Sequence, residues 1–386
     1  MHVDGRNVWR RAICARAFDM TGKSETQAKP PFVYWTSLWL VGFAFALVGV
    51  LRDIFQPDLG AAPGRDFANL YTAGKAALNG VAWQAFDVDM FRLLMHDYLG
   101  VFVQQNYSYP PYALFIAAPF AALPYWPSFV AWTALGIGLF YFAAKPHVPF
   151  RPALAVLTPA AALNIWMGHY GLLLGALWLF FFRARSVRAG LIASLMTIKP
   201  HMGLFIGLTS LRDWRTAVSA TAGVVVLVIL SIFIFRPASW YGYVNNTFYV
   251  QIEILTRRDA DFYFRLMPDA YTAFGRGSAA VAFQVVFALS ALVMLVRSHR
   301  VDPFALATAT FLVIPYVFIY DMTVACLGFA IIIWRHWATL TTRDKTVLTL
   351  AFLIPNITIV GAFLAPPILL AALYIQTRRE DPTTIS

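Results

Sequence analysis

Five places along this chain of 386 residues carry side chains whose type and spacing could do chemistry. The first is Asp66. Phe67, Leu70, Tyr71, Gly74 and Leu78 follow it at three- and four-residue spacing, which predicts an amphipathic helix starting at the acid and stopping at Gly80. An acid there can cap the helix by accepting its first free backbone N–H groups, or serve as a general base at a membrane surface. The second place is Lys199 and His201, in Thr197-Ile198-Lys199-Pro200-His201, which interrupt the apolar run Leu191–Leu211. A charge within a membrane segment is expensive and usually serves a ligand, an ion or a partner; a lysine snorkelling from a helix end is the plainer alternative. The third is the tip Asn164-Ile165-Trp166-Met167-Gly168-His169-Tyr170, where Asn164 and His169 are either interhelical hydrogen-bonding residues or ligand contacts. The fourth is the tip Pro315–Asp321 with Tyr316, Tyr320 and Asp321, the acid being also a candidate helix cap. The fifth is Arg257 and Arg258, set with Asp259, Asp261 and Arg265 among aromatics. It reads as a solvated charge run, except that an arginine pair suits bidentate contacts to an anion.

The elements that must position these groups are membrane helices. The composition is 60% hydrophobic and only 13% charged, with mean hydropathy +0.64, against roughly 25% charged in an ordinary soluble domain. Apolar blocks alternate with short polar tips, which predicts an all-α polytopic membrane protein, a bundle of about 10–13 transmembrane helices. Cys14 and Cys326 have no metal-ligand or redox spacing. No Walker A, HExxH, GxSxG or strand-borne GxGxxG occurs, so nothing supports coupling to ATP.

Charge sets the expected topology. Phe32–Leu51 is a run of 20 uncharged residues, long enough to cross, and Leu51-Arg52-Asp53-Ile54-Phe55 has no small-residue cleavage site, so the run reads as an uncleaved anchor. Met20 is an alternative start. With the basic N-terminal tail and the clusters Lys145–Arg151, Arg183–Arg188, Arg212–Arg215, Arg297–Arg300, Arg335–Lys345 and Arg378–Arg379 inside, that side collects 20 of the 30 Lys and Arg residues, as the positive-inside rule requires. The positive net charge of +11 then needs no nucleic-acid partner. The resulting expectation is a plasma-membrane protein with residues 1–31 as a cytoplasmic tail, 32–376 as one transmembrane domain and 377–386 as a second tail. Residues 52–110 and 236–277 form the large extracytoplasmic loops. Arg188 to Arg212 is too short for two full crossings, so it is one crossing or a broken re-entrant pair; Tyr109–Ala144, divided by Pro124 and Pro127, has the same ambiguity. In the first loop a second amphipathic segment runs from Asp87 to Gly100, both helices being expected at the membrane interface. Asp87 and Asp89 form a D-x-D triplet, which can hold a metal and a nucleotide sugar elsewhere, but capping and solvation fit better on this side; no metal or cofactor is expected.

Gly64-Arg65-Asp66-Phe67-Ala68-Asn69-Leu70-Tyr71-Thr72-Ala73-Gly74, continuing to Gly80, resembles the first outer loop of family-87 glycosyltransferases. These are GT-C-type polytopic enzymes, among them polyprenol-phosphate-mannose-dependent mannosyltransferases. Tyr109-Pro110-Pro111 is similar to the family's Tyr-x-Pro-Pro step into the next helix, and Met167-Gly168-His169-Tyr170-Gly171-Leu172-Leu173 to its Gly-Gln-x-Asn-x-Leu-Leu tip. Ile198-Lys199-Pro200-His201 resembles its Lys-Pro-His step, Leu211-Arg212-Asp213-Trp214-Arg215 its Arg-x-Trp-Arg turn, and Pro315-Tyr316 through Tyr320-Asp321 its late tip. Two departures concern the sugar more than the fold. His169 and Gly171 stand where the family usually has Gln and Asn, and Tyr320-Asp321 where mannosyl-transferring members often have histidine.

The resemblance implies transfer of a hexosyl, and in the first instance mannosyl, unit from a polyprenyl-phosphate sugar to a lipid or glycan acceptor. Asp66 would be the general base. Lys199 and His201 would take the donor phosphate, with Arg257 and Arg258 as second candidates, while Tyr71, Tyr109, Asn164 and Tyr320 would line the sugar pocket beside His169 and Asp321. The rival class is a transporter or lipid flippase using Lys199 and Asp321 as intramembrane sites, but no internal repeat supports it. Oligomeric state is not legible.

Overall fold

The computed structural model describes residues 28–55, 64–100, 105–247, 249–250, 252, 264–298 and 302–379. Among these, every regular element is helical. Helix α1 (Phe32–Phe55) shows why. Trp35, Leu38, Trp39 and Ala46 recur at helical spacing and are buried, while Phe32, Val33, Leu40, Val41, Leu47 and Val48 are exposed. A helix apolar on its exposed face as well as its packed face has a hydrocarbon neighbour. Among the described residues, five stretches are long and apolar enough to cross a bilayer: Phe32–Arg52, Tyr125–Ala144, Trp214–Thr247, Ser278–Ser298 and Ile354–Arg378. Five shorter apolar helical stretches join them, and most of these pack inside the bundle, where a helix need not span alone. The chain is an all-α polytopic membrane protein.

The first loop holds α2 (Arg65–Leu78) and α3 (Val88–Leu99), joined by a 3-10 turn at Ala82–Phe86. Their boundaries follow the sequence pattern, but α2 is enclosed by protein more than a helix resting on a membrane would be. Nine of its residues from Phe67 to Ala76 are buried. Helix α4 (Leu114–Ala121) covers it, and the approach needs Gly74, because a Cβ there would stand 2.6 Å from Ala117 O. The divided stretch after Tyr109 is therefore one short covering helix followed by the full-length α5 (Tyr125–Ala144), with the break before Pro124.

Next come α6 (Pro159–Met167), α7 (Gly171–Arg183), α8 (Ser186–Met196), α9 (Leu204–Ser210) and α10 (Trp214–Gly242). Thr216 Oγ1 donates to Ser186 O, Gly190 faces Ser219, and Gly223 faces Ser194. The pairs ascend together, so α8 and α10 run parallel, and the chain between them must return to the end it left. At 1.5 Å per residue α8 is only about 16 Å long, roughly half a bilayer core. The segment Arg188–Arg212 is thus a re-entrant pair, with Lys199 and Pro200 at its tip. The second outer segment departs from expectation. Instead of a loop from Arg236, the helix kinks there (φ 68°), because Pro237 has no N–H to continue the ladder, and resumes to Gly242 and a π-helical turn Tyr243–Thr247. The remaining helices are α11 (Ala270–Ala273), α12 (Ser278–Ser298), α13 (Pro303–Val313), α14 (Thr323–His336), α15 (Thr342–Phe352), α16 (Ile354–Gly361) and α17 (Ala365–Arg378).

The segments separated by charge gather at two ends of this bundle. At one end Lys29 lies over Trp334, Arg335 donates to His147 O, and Arg379 reaches Thr339 and Asp344. At the other, Gly64 N donates to Trp166 O, Asn164 to Tyr320 O, Ile319 N to Leu266 O, and Asn246 to Phe86 O. Four segments distant in sequence meet there, and the chemically distinctive residues come with them.

Candidate active site

The entrance of α2 decides what Asp66 is free to do. Gly64 occupies the cap position with left-handed φ of 80° and offers no side-chain cap. It is pinned by Trp166 O and by the Tyr125 hydroxyl, which donates to Gly64 O at 3.0 Å. Asp66 sits inside the first turn, half-buried, and no hydrogen bond among the described residues holds its carboxylate. Burial pushes its pKa from 3.8 up to about 6; Arg65 and Lys199 pull it down, and Asp321 adds to the rise. The cap reading is therefore not what the fold uses.

Asn69 and Gln105 draw the irregular segment 105–110 against α2. Asn69 donates to Asn106 O at 2.9 Å and Gln105 to Arg65 O at 3.3 Å. This delivers Tyr109 to the cluster, where its hydroxyl meets His169 Nε2 at 2.9 Å, within electrostatic range of Asp66 and Asp321. His169 is presented by the break between α6 and α7. Gly168 has φ 71°, and a Cβ on it would stand 2.5 Å from Phe67, so the turn closes directly on the residue beside Asp66. Trp132 of α5 fixes that turn by donating to Gly168 O at 2.9 Å.

Asn164 donates to Ala160 O (2.8 Å) and Tyr320 O (2.6 Å), which locks the two tips together. The Tyr320 ring packs at a tilt against His169 (3.9 Å between centroids) and stacks on Phe318 (5.0 Å). Lys199 lies over the Tyr320 and Phe318 rings at 5.2 and 5.4 Å and makes a buried ion pair with Asp321. The other Asp321 oxygen faces His169 Nδ1 at 3.8 Å, too far for a hydrogen bond. Lys199 brings three N–H donors, of which Asp321 takes one. His201 follows, half-buried, its ring 5.7 Å from Tyr316 and its Nε2 without a partner among the described residues. Asp321 also bounds a small apolar hollow formed with Leu174, Trp178, Met196, Met202 and Phe311.

The fold thus brings Asp66, Tyr109, Asn164, His169, Lys199, His201, Tyr320 and Asp321 to one place. Tyr71 does not join them: its hydroxyl donates to Leu123 O at 3.1 Å and its ring packs on Phe67 and Tyr125. Arg257 and Arg258 lie outside the described residues. Sequence reasoning missed Trp132 and Phe318. A tryptophan or phenylalanine in an apolar run carries no signal that separates a core ring from a site wall. The D-x-D triplet has an ordinary role, Asp87 capping α3 through the N–H groups of Asp89 and Met90, and Asp89 pairing with Arg92 at 3.6 Å. Among the described residues no group of three His, Cys, Asp or Glu side chains could hold a metal ion. Asp87→Ala should therefore cost about 1 kcal/mol of stability and leave turnover unchanged, which thermal melting and activity measured on the same sample will check.

A buried Lys199–Asp321 ion pair near a half-buried carboxylate, built where the tips of a membrane helix bundle converge, defines the class as an integral membrane protein with a buried cluster of polar side chains. The family is specific: residues 107–319, just over half of the chain, match glycosyltransferase family 87, and the chain belongs to that family. The match includes Tyr109, Asn164, His169, Lys199 and His201; Asp66 precedes it, and Tyr320 and Asp321 follow directly. No curated protein and no solved structure matches the chain.

Proposed function

We propose that this glycosyltransferase moves a hexosyl unit, mannosyl being the first to test, from a polyprenyl-phosphate sugar to a lipid or glycan acceptor at the extracytoplasmic face of the plasma membrane. Asp66 takes the proton of the acceptor hydroxyl as that oxygen bonds to the anomeric carbon. The bond from the anomeric carbon to the phosphate oxygen breaks in the same displacement. Lys199, backed by His201, receives the negative charge that collects on the departing phosphate. A lipid phosphate is a weak base, so the step needs a fixed positive charge more than an acid. Tyr109, Asn164, His169 and Tyr320 present hydrogen-bonding groups and aromatic faces suited to a sugar ring.

The observation that carries this reading is the pairing of an uncapped, half-buried Asp66 with a buried lysine in electrostatic reach of it. The orientation is supported by the charge imbalance in the sequence, since the segments that the positive-inside rule assigns to the outside hold only 10 of the 30 basic residues. The test is to incubate purified protein in lipid nanodiscs with radiolabelled polyprenyl-phosphate mannose, polyprenyl-phosphate glucose and the matching nucleotide sugars, each with a panel of lipid acceptors. Product from a polyprenyl-phosphate sugar alone is the expected result. Product from nucleotide sugars alone would overturn the donor assignment.

A further inference from the structure

Lys199 and Asp321 are buried and paired with each other. The pair carries no net charge, and the carboxylate repels any anion that approaches the ammonium. For Lys199 to meet a phosphate it has to turn away from Asp321, and a buried carboxylate left without a partner is strongly unfavourable.

The geometry shows which member of the pair moves and what stands ready for the other. Lysine carries its charge on a flexible four-carbon stem. The Asp321 side chain is short, and its turn is pinned: Asp321 N donates to Phe318 O, Asn164 to Tyr320 O, and Ile319 N to Leu266 O. Lys199 pairs with one carboxylate oxygen, Oδ2. The other, Oδ1, has no hydrogen-bond partner among the described residues, and neither has His169 Nδ1, which faces it at 3.8 Å. His169 is itself held, by the Tyr109 hydroxyl on Nε2, by the Tyr320 ring and by Trp132 through Gly168 O. Buried polar atoms are almost always hydrogen-bonded. Two that lack partners and face each other about 1 Å beyond hydrogen-bond distance mark a contact that closes in another state of the site. Rotation of the carboxylate about its last bond, a soft torsion, closes it.

We propose that His169 is a positioning residue: when a lipid phosphate draws Lys199 away, Nδ1–H donates to Asp321 Oδ1 and holds the carboxylate that the lysine has released. The proposal rests on the phosphate role of Lys199 given above. Hydrogen bonds to a carboxylate are among the stronger ones. A neutral imidazole with its proton on Nδ1 accepts at Nε2, so the Tyr109 hydroxyl becomes the donor of the 2.9 Å bond between them. Filling the phosphate site thereby fixes the direction of the hydrogen bond at Tyr109, which lies in electrostatic range of Asp66.

The test uses full-length protein labelled with nitrogen-15 at histidine, in a phosphate-free maltoside detergent, frozen and observed by solid-state NMR. The probe is farnesyl phosphate, which carries no sugar and so binds without turnover; farnesol is the uncharged control. The His169 signals are those missing from His169→Phe. Farnesyl phosphate is expected to gather His169 into the tautomer protonated at Nδ1, and farnesol to leave it unchanged. Binding strength is the second measurement. His169→Phe should weaken farnesyl phosphate binding about tenfold, while His169→Asn, whose amide nitrogen stands where Nδ1 did, should bind nearly as well as the parent. In an Asp321→Asn background His169→Phe should make no difference, because no charge is left to hold. His169 signals unmoved by saturating farnesyl phosphate, or equal weakening by His169→Phe with and without the Asp321 carboxylate, would overturn the proposal and leave the phosphate role of Lys199 standing. Absent binding, or equal binding by the parent and by the double variant Lys199→Met with Asp321→Asn, would remove that role and this proposal with it.

Discussion

Asp66→Asn is expected to lower transfer by about 10³-fold, the range of a lost general base, in a protein that folds at least as well as the parent. The two halves of this expectation come from the same carboxyl group. Burial raises its pKa from 3.8 to about 6, so the folded protein holds that proton more tightly than the unfolded chain does. The stabilising contribution of such a group is fully present below 3.8 and is lost as pH rises through about 6. Above that point the ionised carboxylate is a burden on the fold, and its ionised form is the one that the proposed role as base requires. Asparagine has the same shape and no charge, and no hydrogen bond in the described structure depends on the acid. Near neutral pH the variant should therefore melt no lower than the parent, while in acid the two should converge. Tryptophan-fluorescence melting and transfer assays on one preparation will check both. Turnover within tenfold of the parent would remove Asp66 from the role of base, and a large drop in melting temperature would mark it as structural.

Lys199→Met has the next largest expected effect, and here fold and function must be pulled apart. Lys199 is 5% and Asp321 7% exposed, and they are ion-paired. Removing one partner of a buried pair leaves an uncompensated charge, at a cost of about 3–5 kcal/mol. Lys199→Met alone should thus be poorly stable and inactive. Adding Asp321→Asn removes the stranded charge and should recover most of the lost stability without restoring transfer, because the cation assigned to the phosphate is gone. In the stable double variant, donor binding should weaken more than acceptor binding. A double variant that regains turnover along with stability would show that Lys199 serves the fold and not the donor.

The helices that carry the site were legible because hydrophobic spacing is a local property. The start of α2 beside Asp66, the cap of α3 at Asp87 and the break at Pro200 follow from a few neighbouring residues each. The direction of Arg188–Arg212 was not legible. It depends on Gly190 and Gly223 meeting Ser219 and Ser194 across two helices, and a sequence does not say which glycine faces which partner. The capping ambiguity of Asp66 turned on the backbone of Gly64, two residues upstream, which takes over the cap position. Tyr71 illustrates the opposite case. Five residues along a helix from Asp66, it stands about 140° around the axis, so helix geometry alone would have separated it from the acid. The union of Tyr109, His169, Lys199 and Asp321 joins four segments and needed the fold.

The most direct measurement is the single-turnover rate of transfer by the parent protein as a function of pH, with donor and acceptor saturating so that product release does not contribute. If Asp66 must be ionised to accept the proton, the rate should climb about tenfold per pH unit in acid and level off above a midpoint near 6, the value burial gives its carboxyl. A rate independent of pH from about 5 to about 8, a span that brackets that midpoint, would contradict a proton-accepting Asp66 and with it the central claim.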